Sequence, residues 1–285
     1  MTHHQITRDQ LPLNQLAKAQ GHKFAHGHAL VLSGGAGRSG AARLAARAAL
    51  RVGAGLVTLA VPPEALAEVA SQITAIMLQP VADARALAKV LEDDRFKAIC
   101  LGPALGTGKG HAALVASCLA ARRATVLDAD ALTLLAKDKP LFSALHESCV
   151  LTPHAGEFAR LFPDLAEKLA NAPGFGKPEA TQEAAARAGC IVVLKGAKTT
   201  VAHPDGLCGQ HSATGERAAP WLATAGAGDV LAGLITGLMA RGFGPALAAE
   251  LGVWLHVEAA LSFGPGLIAE DLPEELPRVL NALLA

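Results

Sequence analysis

The residues best suited to chemistry lie in three polar segments that each stand next to an apolar run. They are His154 and Glu157, then Lys195, and then Asp229, the carboxylate of the small-residue segment 225–229. Small residues let the backbone turn tightly and approach a ligand, and the apolar run that follows is typical of a helix whose first N–H groups face an anion. A carboxylate, a lysine and a helix start together indicate proton transfer beside a bound anion.

Each of these residues also has a purely structural interpretation. Asp229 could cap the helix that follows it, and Asp128 and Asp130 could do the same for the helix after their own segment. His154 could be a loop histidine that is hydrogen-bonded by the backbone. Lys195 could face solvent, although it ends an apolar run in which an unpaired charge is costly to bury. Taken singly, the residues leave both interpretations open.

Short runs of β-forming residues alternate with Ala-rich helical patterns along the chain. Strands are predicted at Ala29–Leu32, Leu56–Val61, Ala98–Leu101, Thr125–Leu127, Val150–Leu151 and Ile191–Leu194. Helices are predicted to begin near Gly40, Pro63, Ala84, Gly110, Asp130, Gly156, Pro178 and Gly228. This alternation is typical of an α/β fold, with a mainly parallel central sheet and helices on both faces. A hairpin, Thr199–Ala202 followed by a turn and a strand from Leu207, is predicted late in the sheet.

Polar or glycine-rich residues follow five of the predicted strands. The segments are Ser33–Gly40, Gly102–Gly106, Asp128–Asp130, Thr152–Glu157 and Lys195–Thr199. Ligands of open parallel sheets bind at the carboxyl ends of the strands, so these segments and the Gly228 turn are expected to surround one pocket.

Two further segments have structural interpretations. The stripe Leu247, Leu251, Trp254, Leu255 and Leu261 predicts a core helix over Pro245–Ser262. The segment Asn171–Pro178 is rich in proline and glycine, which favours a surface loop over a lid. Residues 1–285 are expected to form one domain, with residues 1–21 as an N-terminal extension.

Composition excludes several classes of function. Lys+Arg and Asp+Glu are equal at 25 each and there is no basic block, so nucleic-acid binding is not expected. The N-terminus has no apolar signal segment, and the longest uninterrupted apolar stretch of the C-terminal third, Val230–Ala240, is too short to span a bilayer. The five cysteines include no C-x-x-C pair. A cytoplasmic protein without a membrane partner is expected.

Three motifs, taken together, resemble one family. Thr152-Pro153-His154-x-Gly156-Glu157, Lys195-Gly196-Ala197-x-Thr199 and Gly226-x-Gly228-Asp229-x-Leu231-x-Gly233 occur in the order and spacing of the ribokinase-like NAD(P)H-hydrate dehydratases. The resemblance extends from about His22 to about Ala260 and includes Ser33-Gly34, Gly40-Ala41, Gly53-Ala54-Gly55 and Gly102-Pro103. It implies a three-layer α/β/α domain of the ribokinase-like type.

The resemblance also implies an activity. Members of the family remove water from the S-epimer of hydrated NADH or NADPH, using a phosphoryl group from ADP or ATP. It implies hydrate-binding roles for Ala41, Gly102, Gly106, His154 and Asp229, and nucleotide-binding roles for Lys195, Gly196, Ala197, Lys198, Thr199 and Gly228. Asp229 suits a general base that accepts the proton of the substrate hydroxyl, and the N–H groups around Gly226, Ala227 and Gly228 suit an anion hole that extends to Val230.

Metal, nucleotide and partners follow from the same resemblance. No direct metal ligand is expected, and Glu157 is assigned to Mg²⁺ through water. ADP is favoured over ATP because stand-alone members tend to use it, and a homotetramer is suggested. The epimerase that accompanies some members is expected to be a separate protein. Related sequences often carry a glycine, a threonine and an asparagine where this chain has Ala225, Ala227 and Ala219, which predicts slower or altered nucleotide use.

Two alternatives remain at the level of the sequence. A ribokinase-like kinase of a hydroxyalkyl heterocycle would use the same base and anion hole without the elimination of phosphate. A nucleotide sensor would keep the pocket without the reaction, but it would need no base such as Asp229. The His154 and Lys195 motifs favour the dehydratase over both.

Overall fold

The computed structural model describes residues 2–284, which contain one ten-stranded sheet. The strands are β1 (Thr2–Gln5), β2 (His28–Leu32), β3 (Leu56–Val61), β4 (Met77–Pro80), β5 (Phe96–Leu101), β6 (Ala124–Leu127), β7 (Cys149–Leu151), β8 (Ile191–Leu194), β9 (Lys198–Ala202) and β10 (Leu207–Ser212). Their order across the sheet is β1-β10-β9-β8-β7-β6-β5-β2-β3-β4. β9 is antiparallel to both of its neighbours, and every other neighbouring pair is parallel.

The helices cover both faces of the sheet. They are α1 (Gly40–Arg51), α2 (Leu66–Ala70), α3 (Ala84–Val90), α4 (Lys109–Ala120), α5 (Asp130–Lys137), α6 (Lys139–Ser143), α7 (Ala155–Leu161), α8 (Pro163–Asn171), α9 (Lys177–Ala188), α10 (Ala227–Ala240), α11 (Pro245–Phe263) and α12 (Asp271–Leu284). One hydrophobic core lies between the sheet and α1, α2 and α10 to α12, and a second lies between the opposite face and α3 to α9. The predicted three-layer α/β/α arrangement is therefore confirmed.

The alternation of side chains along β2 shows how the strands separate the two cores. Ala29 and Val31 belong to the first core, whereas Leu30 and Leu32 belong to the second. All five residues of the strand are buried, as expected for a parallel strand that is covered on both faces. Such strands consist almost wholly of apolar residues, which is why the sequence reveals them.

Two strands were not predicted, and both lie at the edges of the sheet. β1 falls inside the segment that was assigned to an N-terminal extension, and it pairs in parallel with β10. Ile6 and Leu16 in the same segment are buried, so residues 2–16 belong to the fold. β4 at the other edge has partly exposed side chains and ends on Pro80, so it lacks the apolar run that marks a central strand.

The helices differ from the prediction at several points. α6, α8 and α12 were not predicted, and the segment at Pro63 begins with a short 3₁₀ turn before α2. The expected loop Asn171–Pro178 is shorter, because Asn171 ends α8 and Lys177 begins α9. Proline is well tolerated in the first turn of a helix, so Pro178 does not keep the segment unfolded.

One helix in the described part of the chain, α11, is long and apolar enough by length and composition to cross a membrane. α11 is longer than Val230–Ala240, the longest uninterrupted apolar stretch of the C-terminal third. The sequence did not single α11 out as such a stretch, because polar residues such as Glu250 and His256 interrupt its apolar residues. Most of its apolar window is buried, and it packs against α10 and α12. These contacts are those of a core helix in an α/β domain.

Candidate active site

The Gly226 turn is shaped by close packing. Gly226 is the N-cap of α10 and has φ = 91°, in the region that L side chains rarely adopt. A Cβ at this position would lie 2.7 Å from Leu44 Cδ1 and 2.8 Å from Ala269 Cβ. Glycine is therefore required for both backbone conformation and space. α10 begins one residue earlier than predicted, and Asp229 is its third residue rather than its cap.

Only part of the predicted anion hole is free to bind a ligand. The N–H of Val230 donates to the Gly226 carbonyl at 3.1 Å, and the N–H of Ala227 makes a long bond to Thr224 at 3.4 Å. The N–H groups of Gly228 and Asp229 lie in the first turn, where a helix offers no carbonyl to bond with. Together with the positive end of the helix dipole, they favour an anion at this point.

His256 on α11 fixes the first turn of α10. Its Nε2 lies 2.9 Å from the Ala227 carbonyl oxygen, which can only accept, so Nε2 carries the proton. Burial lowers the pKa of His256 to about 4, so the ring is neutral near pH 7. The C=O and N–H of a trans peptide point in opposite directions. By holding the Ala227 carbonyl, His256 turns the N–H of Gly228 away from itself.

Asp229 lies in an environment that disfavours its charge. The pKa of Asp229 is raised to about 6, mainly by burial and also by the Asp128 and Glu157 carboxylates, while Lys195 opposes the rise. A carboxyl group with this pKa is ionised at pH 7 and is a stronger base than an exposed one. These are the properties that a general base for an alcohol requires.

Lys195 lies beneath the turn and pairs with buried carboxylates. Its Nζ donates to Asp128 Oδ1 at 2.7 Å and lies 3.9 Å from Glu157 Oε2. Thr152 Oγ1 donates to the same Asp128 oxygen at 2.7 Å. The capping interpretation of Asp128 is wrong, because its carboxylate is 3% exposed and is directed at Lys195. A Cβ at Gly228 would lie only 3.4 Å from Lys195 Nζ, so the lysine also reaches the start of α10.

His154 has a structural role that the sequence anticipated. It is the N-cap of α7, and its Nδ1 accepts hydrogen bonds from the N–H groups of Gly156 and Glu157. The Glu157 carboxylate in turn accepts from the N–H of His154 at 2.8 Å, which completes a capping box. The His154 side chain is 57% exposed, and its Nε2 lies 3.5 Å from Glu157 Oε1. The same motif thus holds Glu157 near Lys195 and keeps much of the His154 ring exposed.

A cavity of about 550 Å³ opens beside these residues, between the β8–β9 turn, the end of β10 and helices α10 and α11. The residues around it include Lys195, Gly196, Ala197, Thr199 and Gly228, which are five of the six predicted nucleotide-binding residues. Lys198 does not line the cavity. The opposite wall is mainly apolar and includes Ala219, Leu222, Val253 and Val257, together with His211 and His256. This chain has alanine at three positions where related sequences often have another residue, and two of them, Ala219 and Ala227, line this cavity.

Three of the predicted hydrate-binding residues, Gly102, Gly106 and His154, follow strand ends, whereas Ala41 and Asp229 lie in the first turns of α1 and α10. His154 alone among them lines the cavity. Gly102 and Gly106 follow β5, and a Cβ at Gly102 would lie 1.7 Å from the Asp128 carbonyl oxygen. Gly106 N–H donates to Asp130 Oδ2 at 2.8 Å. Asp130 therefore connects the segment after β6 with the segment after β5, and it does not act as a side-chain cap.

The loop before α1 completes this row of strand ends. Ala41 is the second residue of α1, and the same helix carries Leu44, which contacts the Gly226 turn. Ser39 Oγ donates to Glu68 Oε1 at 2.5 Å, and the N–H of Gly37 donates to the same carboxylate at 2.6 Å. The loop that precedes Ala41 is therefore held in place by α2.

Three site residues have no motif in the sequence. His211 and His256 line the cavity, and Lys177 contacts the β8–β9 turn from α9. Each lies far along the chain from the residues that it approaches, and only the sheet topology brings them together. No signal in the sequence alone identifies them.

The fold and the site are those of a three-layer α/β/α protein with the groups that phosphoryl transfer requires: a base, a lysine and a helix start beside a cavity. Residues 29–279 match the family model of the NAD(P)H-hydrate dehydratases, and the chain belongs to this family. It is 39% identical to the bifunctional NAD(P)H-hydrate repair enzyme of Moorella thermoacetica, over 97% of this chain and 53% of that protein. It is 33% identical to the ADP-dependent (S)-NAD(P)H-hydrate dehydratase of Xanthomonas campestris, over 98% of this chain and 96% of that protein.

Solved structures agree with the family. The ADP/ATP-dependent NAD(P)H-hydrate dehydratase of Bacillus subtilis, co-crystallised with ATP and Mg²⁺, has a TM-score of 0.77 at 29% identity and covers 94% of this chain and 93% of its own. A ribokinase-like superfamily protein of Enterococcus faecalis has a TM-score of 0.79 at 24% identity, over 95% of this chain and 93% of its own, which confirms the ribokinase-like fold. The chain spans about half the length of the bifunctional relatives it matches.

Proposed function

We propose that the protein converts the S-epimer of hydrated NADH or NADPH back to the reduced cofactor, using a phosphoryl group of ADP or ATP. The observation that carries the proposal is Asp229, a partly buried carboxylate with a raised pKa in the first turn of α10, near Lys195 and next to the cavity. Membership of the family and the name of the X. campestris relative, an ADP-dependent (S)-NAD(P)H-hydrate dehydratase, support the same reaction.

The proposed reaction has two steps because hydroxide is a poor leaving group. Asp229 accepts the proton of the substrate hydroxyl while its oxygen attacks the terminal phosphorus of the nucleotide, and the bond between that phosphorus and the bridging oxygen breaks. The C–O bond of the new phosphate ester then breaks, phosphate leaves with its electrons, and the adjacent ring carbon loses a proton to water as the double bond forms. The N–H groups of Gly228 and Asp229 stabilise charge on the transferred group.

The nucleotide is assigned to the cavity and the hydrate to the adjacent strand ends. Gly196, Ala197 and Thr199 follow Lys195, whose Nζ reaches the start of α10 at Gly228, which suits the phosphates, and the apolar lining residues suit a nucleobase. Ala41, Gly102, Gly106 and His154 would then contact the hydrate from the other side of Asp229. ADP is the proposed donor, in keeping with the name of the X. campestris relative.

Magnesium fits this site only as a partner of the phosphates. Within residues 2–284 no cluster of three or more His, Cys, Asp or Glu side chains could hold a metal ion by itself. The Asp128 and Glu157 carboxylates already contact Lys195. Mg²⁺ commonly keeps several waters and binds through substrate phosphates, so Glu157 is assigned to it through water. When bound, the ion would neutralise charge on the phosphates.

The wider setting is also a proposal. The bifunctional relatives suggest that an epimerase activity works together with the dehydratase activity. We also propose that residues 1–285 form one domain and that the protein is a cytoplasmic homotetramer. The five buried free thiols suit a reducing compartment, and light scattering of the purified protein would test the tetramer.

The direct experiment is incubation of the protein with hydrated NADH and either ADP or ATP, with absorbance followed at the nicotinamide band. The proposal predicts that NADH returns with at least one nucleotide and that phosphate is released with it. Failure with both nucleotides, together with a stable phosphorylated product from another alcohol, would instead favour the small-molecule kinase.

A further inference from the structure

The turn between β8 and β9, residues 195–198, has an unusual arrangement of its peptide carbonyls. Each of the four carbonyl oxygens accepts a hydrogen bond, either from a residue next to the turn or from another part of the chain. Thr199 Oγ1 donates to the Gly196 carbonyl at 2.8 Å, and the N–H of Ala213 donates to the Ala197 carbonyl at 2.8 Å. The other two carbonyls, those of Lys195 and Lys198, are bonded by a single side chain.

That side chain is Lys177, the first residue of α9. Its Nζ donates to the Lys195 carbonyl at 3.0 Å and to the Lys198 carbonyl at 2.5 Å. A Cβ at Gly196 would lie 3.0 Å from the same nitrogen, so the absence of a side chain there lets the ammonium approach the backbone. Lys177 is only partly exposed and does not line the cavity.

Because the peptide bond is planar, a hydrogen bond from Lys177 to a carbonyl of the turn also fixes the direction of the N–H group in the same peptide. In a trans peptide the N–H of one residue points opposite to the carbonyl of the residue before it. Holding the Lys195 carbonyl therefore turns the N–H of Gly196 away from Lys177, and Gly196 lines the cavity. The bond to the Lys198 carbonyl fixes the other end of the turn, because the N–H of the next residue, Thr199, already faces β10 in the ladder, opposite His211.

We propose that Lys177 is a positioning residue, which orients the backbone N–H donors of the β8–β9 turn toward the phosphates of the bound nucleotide. The inference rests on the proposed nucleotide site, and it adds a residue outside the three motifs. Lys177 does not touch the nucleotide in this account. It acts through the turn, and its positive charge also lies on the phosphate side of the cavity.

A positioning role and a general structural role predict different binding data. We compare the affinities of wild type, Lys177→Met and Lys177→Arg for ADP and for adenosine by calorimetry. Methionine keeps most of the buried alkyl chain but donates no hydrogen bond, whereas arginine retains donors. Lys168→Met is the matched control, because Lys168 lies on the neighbouring helix α8 and makes an exposed ion pair with Glu183 at 2.8 Å.

Lys177→Met is expected to bind ADP about tenfold or more weakly than wild type, because one ammonium supports two hydrogen bonds of the turn. Adenosine, which lacks phosphate, should bind the variant as it binds wild type. Lys177→Arg should recover part of the loss, and Lys168→Met should match wild type. In the dehydratase assay the loss should appear in KM for ADP, with kcat at saturating ADP largely retained.

Equal weakening of ADP and adenosine would overturn the inference, since it would indicate general damage to the pocket. Unchanged ADP affinity in Lys177→Met would overturn it as well. Wild type that binds ADP more tightly than adenosine but never restores NADH would refute the proposed function alone, because the binding comparison would still test Lys177. Wild type that does not bind ADP would refute both.

Discussion

Replacement of Asp229 by asparagine is expected to abolish most activity and, at the same time, to stabilise the fold. The carboxylate lies where its charge is disfavoured: burial, together with the Asp128 and Glu157 carboxylates, raises its pKa from 3.8 to about 6 despite the opposing charge of Lys195. Asparagine has nearly the same shape without the charge. The substitution therefore removes the unfavourable free energy of the buried charge, and it also removes the proposed base.

The size of the stabilisation follows from the pKa. A rise from 3.8 to about 6 corresponds to about 3 kcal/mol at most. Asp229 is partly exposed, so solvent screening reduces this to about 1–2 kcal/mol, or a rise in Tm of about 2–3 °C for a chain of 285 residues. The cost is present in full above pH 6 and disappears as the pH falls below 4, because the carboxyl is then protonated in both folded and unfolded protein.

Thermal unfolding of wild type and Asp229→Asn at pH 8 and pH 4.5 measures this difference, and Asp128→Asn serves as the matched comparison. Asp128 pairs with Lys195 at 2.7 Å, so its replacement leaves a largely buried ammonium with only the more distant Glu157 carboxylate, at 3.9 Å, and should destabilise the protein. Turnover of Asp229→Asn should fall by about a hundredfold or more. Loss of stability at pH 8 in Asp229→Asn, or retained turnover, would refute the reasoning.

Three further outcomes are expected. Below pH 6 the kcat/KM of the wild type should fall about tenfold per pH unit, because Asp229 must be ionised to accept a proton; a profile flat to pH 5 would contradict its role. Gly226→Ala should lose about 2 kcal/mol or more by chemical denaturation, because φ is 91° and its Cβ would meet Leu44 at 2.7 Å, whereas Gly242→Ala, with φ = 97° and open space around its Cβ, should lose less. His256→Leu should lower kcat while the fold survives in circular dichroism, since the Gly228 N–H loses its support; wild-type kcat would count against the anion hole.

The sequence reveals most of the fold because buried parallel strands are continuous apolar runs. All six predicted central strands and the late hairpin are present, with ends that differ by at most two residues. The edges are harder to predict, since β1 reads THHQ and β4 has exposed side chains. β1 depends on pairing with β10, which is about two hundred residues away in the chain, and local patterns contain no record of such a contact.

The candidate site was predicted in part. Motif residues such as Lys195, Gly228 and Asp229 stand at strand ends or a helix start, where topology alone implies a pocket. The partners of these residues could not be predicted: the sequence left both a capping and a functional role open for Asp128, and only the structure shows its contact with Lys195. His256 and Lys177 act on backbone carbonyls, and any residue type that donates a hydrogen bond could do so. Their roles depend on three-dimensional position alone.

The most direct test of the account measures NADH and phosphate together in one reaction of hydrated NADH with ADP, for wild type and for Asp229→Asn. The account predicts that wild type forms NADH and phosphate in equal amounts and that Asp229→Asn forms little of either while still binding ADP. Formation of NADH without phosphate, or equal rates in the two proteins, would contradict it.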